Sequence, residues 1–299
     1  MSESSFIARV VATHGHHNLV EGPSKQIFEA RRRGKKSDIV VGDQVKCIQS
    51  SKDQVAIEEI LPRHSLLFRS DELRTKPLAA NIDQVAIVFA TRPQYNSVFI
   101  WKALLASETA DIPALVIRNK TDLQEDEGDV RPFIEELRRL GAQVIEISAK
   151  KNQDRTKALL TEYFKDKITL LIGQSGMGKS SILNLLIGKE AQKTQEYSVA
   201  LNLGKQTTTN TRWFDFEDGA IVDSPGFQEF GLAHLTLNDL MRGMPEIRDR
   251  VEQCRFVNCR HLKEPGCAVR AALDAGEINP ARYALYQELA QQILQAQKQ

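Results

Sequence analysis

Long apolar runs are missing from this 299-residue chain. The longest resemble Val85-Ala86-Ile87-Val88-Phe89-Ala90, far short of the roughly 18–20 residues a membrane-crossing helix needs. The first residues, Met1-Ser2-Glu3-Ser4-Ser5, have neither a basic stretch nor an apolar core, so no secretory signal is expected. Net charge is nearly absent, with 40 basic against 39 acidic side chains and a balance of +1. Bulk charge therefore gives no reason to expect nucleic-acid binding, which must come from a local patch. Aromatic residues are scarce at 6%, but the 41% apolar fraction excludes a wholly disordered chain. Cysteine is limited to Cys47, Cys254, Cys259 and Cys267. A cytoplasmic chain keeps such thiols reduced, so three of them crowded around His261 suggest a metal site rather than disulfides.

What is present divides the chain into three regions. Between residues 5 and 68, strand-like stretches at Phe6–Val11, His17–Val20, Gln26–Ala30, Asp43–Ile48 and Gln54–Ile60 alternate with turns at Gly15, Gly22-Pro23, Gly34 and Gly42. Five short strands predict a small antiparallel barrel, of the OB type or, by pattern alone, the SH3 type. From about 69 to 232 the grammar changes. Apolar runs at Asp83–Ala90, Ala114–Arg118, Val144–Ile147, Ile168–Ile172 and Ala220–Val222 read as buried parallel strands with helices between them. Ser97 is the expected cap of a helix Val98–Thr109, and Asp129 that of a helix holding Pro132 and ending before Gly141. The rest, 233–299, reads as helical, with Thr236 capping one helix and Asn279-Pro280 opening the last. The expected fold is thus multidomain α/β: barrel, doubly wound sheet, helical module.

Gly173-Gln174-Ser175-Gly176-Met177-Gly178-Lys179-Ser180 matches G-x4-G-K-S, between the strand Ile168–Ile172 and a helix starting near Ser181. Glycines let successive N–H groups curl around a phosphate chain, and the helix N-terminus adds positive potential. Lys179 is expected to reach the β- and γ-phosphates and Ser180 to bind Mg²⁺. The base is indicated by Asn119-Lys120-Thr121-Asp122, which follows a strand at the sheet edge where ligands bind. A carboxylate at Asp122 can accept from guanine N1–H and the exocyclic amine, a donor pair that adenine lacks. The Lys120 stem can cover the purine, and Ser148-Ala149-Lys150 can offer a backbone N–H to the guanine oxygen. Asp223-Ser224-Pro225-Gly226 is expected to supply a water-mediated Mg²⁺ contact through Asp223 and a γ-phosphate contact through the Gly226 N–H. Among Thr207-Thr208-Thr209, Thr208 is the favoured further Mg²⁺ ligand. Phe227 cannot orient water, which predicts slow intrinsic turnover and dependence on a partner.

These motifs stand in rotated order, with the guanine motifs before the phosphate loop, so a circular permutation is expected. Cys254-x4-Cys259-x-His261-x5-Cys267 offers three thiolates and an imidazole, a set suited to structural tetrahedral Zn²⁺. Cys47 is expected to be buried in the barrel. Arg31, Arg32, Arg33, Lys35 and Lys36 form a basic run read as a loop that contacts RNA phosphates. His14, His16 and His17 cluster near a turn, read as a surface loop near RNA ahead of a metal site, and Arg248, Arg250, Arg255, Arg260 and Lys263 suggest a second basic face beside the Cys/His cluster. The barrel in front, the permuted motif order and the Cys/His cluster behind together resemble the ribosome small-subunit-dependent GTPases, the RsgA or YjeQ family, over nearly the whole chain. The resemblance implies a cytoplasmic, monomeric GTPase that binds the small ribosomal subunit and its rRNA late in assembly. It also implies GTP and GDP as ligands and hydrolysis stimulated by the subunit. The chain departs from many relatives at Gln206, where a histidine considered catalytic is frequent. Glutamine can orient a water but is no comparable base.

Overall fold

The computed structural model describes residues 5–14, 17–32, 38–70, 75–123, 127–188 and 211–296. The expected barrel strands form at β1 (Ser5–His14), β2 (His17–Glu21), β3 (Ile27–Arg32), β4 (Gln44–Gln49) and β5 (Gln54–Ile60). Their order is β1-β2-β3-β5-β4, and a β1–β4 pairing closes the cylinder. The β3–β5 pair is parallel, so the barrel is OB-like rather than a simple meander. Alternation fills it: Ala8, Val10, Val20, Phe28, Ala30, Val45, Cys47, Val55 and Ile57 point inward as one core. Cys47 is buried as expected, and burial pushes its thiol up to about 11.

A hairpin of β6 (Leu66–Ser70) and β7 (Thr75–Ala80) follows, which the sequence pattern did not disclose. The sheet then continues through β8 (Gln84–Phe89), β9 (Ala114–Arg118), β10 (Gln143–Glu146), β11 (Ile168–Ile172), β12 (Arg212–Phe216) and β13 (Gly219–Asp223). Its order is β10-β9-β8-β11-β13-β12. All pairs are parallel except β12–β13, an antiparallel pair that the sequence reading missed. Buried strands with period-two side chains serve two faces. In β8, Val85, Ile87 and Phe89 enter one core, while Ala86 and Val88 enter the other. β12 also pairs with β1, at Ala12 and Arg212, so the barrel and the second sheet are one continuous structure.

Helices α1 (Ser97–Thr109), α2 (Glu127–Arg139), α3 (Gln153–Phe164) and α4 (Lys179–Ile187) connect the strands. Two expected caps shift. Asn96, not Ser97, caps α1, its side chain accepting from the Phe99 N–H at 3.3 Å. An Asn oxygen in an extended residue meets the N3 donor, and Ser97 already has helical geometry. Asp129 is inside α2, which begins by Glu127, so it is not that helix's cap. Near the C-terminus, α5 (Leu237–Arg242) carries the expected Thr236 cap as a full capping box with Asp239. Then come α6 (Pro245–Arg248), α7 (Ala268–Asp274) and α8 (Pro280–Ala296). Asn279 opens α8, its Oδ1 accepting from the Ala281 N–H at 2.8 Å. Tyr286, Leu289 and Ile293 of α8 join the same core as Leu105 of α1, so the last helices pack on the sheet's helical layer.

Candidate functional site

The phosphate loop lies between β11 and α4, as the motif required. Two of its glycines are forced. At Gly178, with φ +99°, a Cβ would fall 2.2 Å from the Asn119 amide nitrogen. At Gly173, with φ +156°, it would fall 2.4 Å from the Val88 carbonyl oxygen. Lys179 is nearly buried, and its Nζ donates to the Gly173 carbonyl at 2.7 Å and the Gln174 carbonyl at 3.4 Å. Burial lowers its pKa, against the opposing pull of Asp223. Ser180 is exposed in the first turn of α4, with Ser181 partly exposed behind it. Gly226 lies against the loop, since a Cβ there would come within 3.1 Å of the Ser175 Cα.

The guanine-motif residues come from sequence positions far ahead of this loop, yet they reach it directly. Asn119 is a staple: its Nδ2 donates to the Met177 carbonyl at 3.1 Å, and its Oδ1 accepts from the Ala149 N–H at 3.1 Å. The backbone donor expected from the 148–150 turn is therefore already engaged at Ala149. Lys120, in the left-handed region at φ +64°, stretches across the cleft. Its Nζ donates to the Arg92 and Gly176 carbonyls, both at 2.7 Å. Ser148 Oγ donates to Asp122 Oδ1 at 2.6 Å, and this bond holds the carboxyl below its ordinary range. The carboxylate is thus charged and aimed before any base arrives. The Thr121 N–H donates to the Ile147 carbonyl at 3.1 Å, and Lys150 is exposed beside it.

Asp223, at the end of β13, is buried, and its Oδ1 has no hydrogen-bond partner. Burial raises its pKa to about 6, with Lys179 and Arg212 pulling the other way. A buried carboxylate oxygen facing a phosphate loop is a donor suited to a hard cation or its water, so the residues present fit Mg²⁺. Ser224 Oγ anchors the same segment to the Leu171 carbonyl at 2.6 Å. Phe227 is buried against Phe230, and the Arg69 guanidinium of β6 lies 4.4 Å over its ring. Its packing leaves it no role in orienting water. Gln174 makes contacts the motif did not announce: its Oε1 accepts from the Asn96 N–H at 3.0 Å, and its Nε2 donates to the Gln228 carbonyl at 3.4 Å. Nothing in the sequence marked Gln174 beyond its place in the loop. Gln206, Thr207, Thr208 and Thr209 lie outside the described residues.

The four metal candidates meet. The ligand atoms of Cys254, Cys259, His261 and Cys267 all lie within 4.8 Å of one another. His261 Nδ1 is 3.5 Å from both the Cys254 and Cys267 sulfurs. Tetrahedral bonds of about 2.3 Å to sulfur and about 2.0 Å to nitrogen separate ligand atoms by roughly 3.5 Å, so the set fits such an ion. The cluster could hold a metal ion. Burial pushes the Cys259 thiol up to about 12. The loop is held from two sides. Tyr283 and Tyr286 of α8 donate to the His261 and Arg260 carbonyls, each at 2.8 Å. Glu264 accepts from the Arg260, Leu262 and Lys263 N–H groups; burial works to raise its pKa, but these bonds outweigh it and bring it to about 2.

The basic run is only partly a loop. Arg31 and Arg32 are the last residues of β3, because the strand's alternation and its pairing with Ala56 and Ile57 of β5 carry through them. Arg31 pairs with Glu29 at 3.2 Å, and Arg32 with Asp38. Arg33, Lys35 and Lys36 lie outside the described residues, as do His16 and the His14 side chain. His17 Nδ1 is 2.8 Å from Glu29 Oε1. The second basic face is partly neutralised: Arg248 pairs with Asp249 at 3.0 Å and Arg250 with Glu277 at 2.9 Å.

With this geometry in view, comparisons with known proteins agree. The family model described as RsgA GTPase matches residues 60–233. A protein of Bordetella pertussis named small ribosomal subunit biogenesis GTPase RsgA is 44% identical over 96% of both chains. One of Burkholderia pseudomallei with the same name is 45% identical over 96% of this chain and 92% of its own. The structure of YjeQ from Thermotoga maritima superposes with a TM-score of 0.70 at 30% identity, covering 97% of this chain and 99% of that one. That of YloQ, described as a circularly permuted GTPase, gives 0.69 at 26% identity, covering 98% and 96%.

Proposed function

The chain belongs to the RsgA GTPase family and is a circularly permuted GTP hydrolase; from that premise we propose that it binds the small ribosomal subunit and its rRNA and assists late maturation of that subunit. The observation that carries the reading is the prepared cleft. Ser148 holds Asp122 charged, Lys179 rests on the Gly173 carbonyl of the phosphate loop, and Asn119 ties that loop to the 148–150 turn before any ligand binds. In the bound state Asp122 accepts from guanine N1–H and the exocyclic amine, and the Lys120 stem covers the purine. The N–H groups of Gly173–Ser180 and the Gly226 N–H take the phosphates. Lys179 moves from its carbonyl partners to the β- and γ-oxygens. Ser180, Thr208 and Asp223 are the residues we assign to Mg²⁺, which when bound neutralises charge on the transferring phosphoryl group. Gln206 is the candidate for orienting the attacking water. We read the Cys254, Cys259, His261, Cys267 set as a structural Zn²⁺ site with no ligand position left for water.

We further propose three modules, 1–68, 69–232 and 233–299. The barrel contacts rRNA through Arg31, Arg32, Arg33, Lys35 and Lys36. GTP favours docking, and hydrolysis favours release. The same reading makes the chain a cytoplasmic monomer with no membrane partner; among the described residues, no helix is long and apolar enough to cross a membrane. The deciding measurement is turnover with and without isolated small subunits. Strong stimulation is expected because Phe227 leaves the attacking water without an aligning group at that position. Equal rates would reject the subunit-dependent reading and leave a GTP-gated scaffold.

A further inference from the structure

Gln174 ties together three elements that border the phosphate loop. Its Oε1 accepts from the Asn96 N–H at 3.0 Å, and Asn96 is the cap of α1, whose Phe99, Ile100 and Trp101 are buried. Its Nε2 donates to the Gln228 carbonyl at 3.4 Å, in the segment after β13. Its own backbone carbonyl accepts from Lys179 Nζ at 3.4 Å. The Asn96 end is rigid, because a capped and buried helix stands behind it. That end fixes the carboxamide and so aims Nε2 at Gln228. The residue type is specific to the task. Glutamate would keep the acceptor and lose the donor, asparagine is one carbon short, and alanine reaches neither partner.

The segment that Gln174 meets carries Gly226, the residue assigned to the γ-phosphate. Residues 224–231 are fixed at both ends. The Ser224 hydroxyl donates to the Leu171 carbonyl at 2.6 Å, and the Ser70 N–H of β6 donates to the Gly231 carbonyl at 2.9 Å. Between these ends, Phe227 packs on Phe230, and Arg69 lies over the Phe227 ring. Among the described residues, the bond from Gln174 is the hydrogen bond that joins residues 225–230 to the phosphate loop. Gly226 stands two residues from that bond. Its backbone lies so close to the loop that a Cβ would come within 3.1 Å of the Ser175 Cα. The Gln228 bond therefore sets how near the Gly226 N–H rests to the loop that cradles the phosphates. GTP has a γ-phosphate to meet that N–H, and GDP has none.

We propose that Gln174 is a positioning residue for the γ-phosphate. By holding Gln228 from the cap of α1, it keeps the Gly226 N–H where a γ-phosphate meets it, and so favours GTP over GDP. The proposal rests on the reading of Gly226 as the γ-phosphate donor, and Gln174 itself touches no reacting atom in this role. Without its bond, GTP must order the segment as it binds, whereas GDP binds as before. The loss is that of one neutral hydrogen bond at the long end of the range, so the expected change is about 3- to 5-fold.

The test compares Gln174→Met with the parent, in the full-length, metal-loaded chain with Mg²⁺ present. Methionine keeps the length and bulk of the side chain and removes both hydrogen bonds, so a packing role would survive it. Affinities for GDP and for a non-hydrolysable GTP analogue are read by displacement of a fluorescent guanine nucleotide. KM and kcat for GTP are measured without subunits. The variant should bind the analogue about 3- to 5-fold more weakly and raise KM alike. Its GDP affinity, kcat and thermal midpoint should hold, as expected for a contact made equally in ground and transition states. An unchanged ratio of analogue to GDP affinity would overturn the proposal. So would an equal loss for both nucleotides, which marks general damage to the loop. Gly226→Ala separates this failure from that of the underlying reading. Its added Cβ pushes the segment off the loop and should remove the GTP preference whatever stands at 174. If Gly226→Ala loses the preference while Gln174→Met retains it, the proposal fails and the Gly226 reading stands. If Gly226→Ala retains it, that reading fails and the proposal falls with it.

Discussion

Cys254, Cys259, His261 and Cys267 reach one another within 14 residues of chain, whereas the nucleotide cleft gathers Asn119, Ser148, Lys179 and Asp223 from a span of more than a hundred. The first set is local, with Cys259, His261 and Cys267 buried, Cys254 partly buried, and the four ligand atoms within 4.8 Å of one another. The second is assembled by the sheet, whose parallel strands deliver their carboxyl ends to one edge. Its groups are already engaged by protein partners. Lys179 rests on the Gly173 carbonyl, Lys120 bridges Arg92 and Gly176, and Ser148 aims Asp122. A local cluster read as a structural metal site is expected to fail structurally when broken. A cleft held by the sheet is expected to fail chemically while the fold survives.

Mutations can break that contrast, and the metal cluster promises the largest effect. Cys259→Ala should release the ion and destabilise the C-terminal helices by up to about 10 kcal/mol, the scale of structural zinc binding. Metal content and calorimetry check this, and a variant that unfolds like the parent would erase the contrast. Next comes Lys179→Ala, which should cut hydrolysis by about 10²–10³-fold, the usual cost of one transition-state donor. Its thermal midpoint should hardly move, and a large drop would mean that the cleft too is structural. Asp122→Ala should weaken GTP by about 100-fold, in line with loss of charge-assisted hydrogen bonds, and narrow the preference over ATP. Competition between the two nucleotides measures it. Unchanged preference would remove Asp122 from base recognition.

The smallest effect sharpens the comparison with a cap outside both sites. The Thr236 hydroxyl, donating at 2.7 Å, holds Asp239 below its ordinary pKa. A depressed carboxyl contributes stability that is present above its unfolded value, near 3.9, and lost as pH falls through the folded one. Asp239→Asn should therefore cost about 1 kcal/mol at neutral pH, the scale of a helix cap, with the gap closing below about pH 4. Denaturant titration at pH 7 and pH 3.5 checks both the size and the sign.

The sequence alone determined the barrel, the strand–helix alternation, the phosphate loop and the identity of the metal set. Those signals are short-range: period-two burial, G-x4-G-K-S and closely spaced thiols act through neighbours in the chain. Sequence could not show that Asn119 would staple Met177 to Ala149, or that Gln174 would bond to Asn96 and Gln228. It gave no sign of the β6–β7 hairpin that sets Arg69 over Phe227. It misplaced Arg31 and Arg32 because a charge run resembles a loop until strand pairing claims it. Nor did it disclose that β12 would join β1 and make barrel and sheet continuous. These depend on contacts between residues distant along the chain. Only the tertiary structure decides such contacts, because no local preference encodes which backbone will arrive opposite.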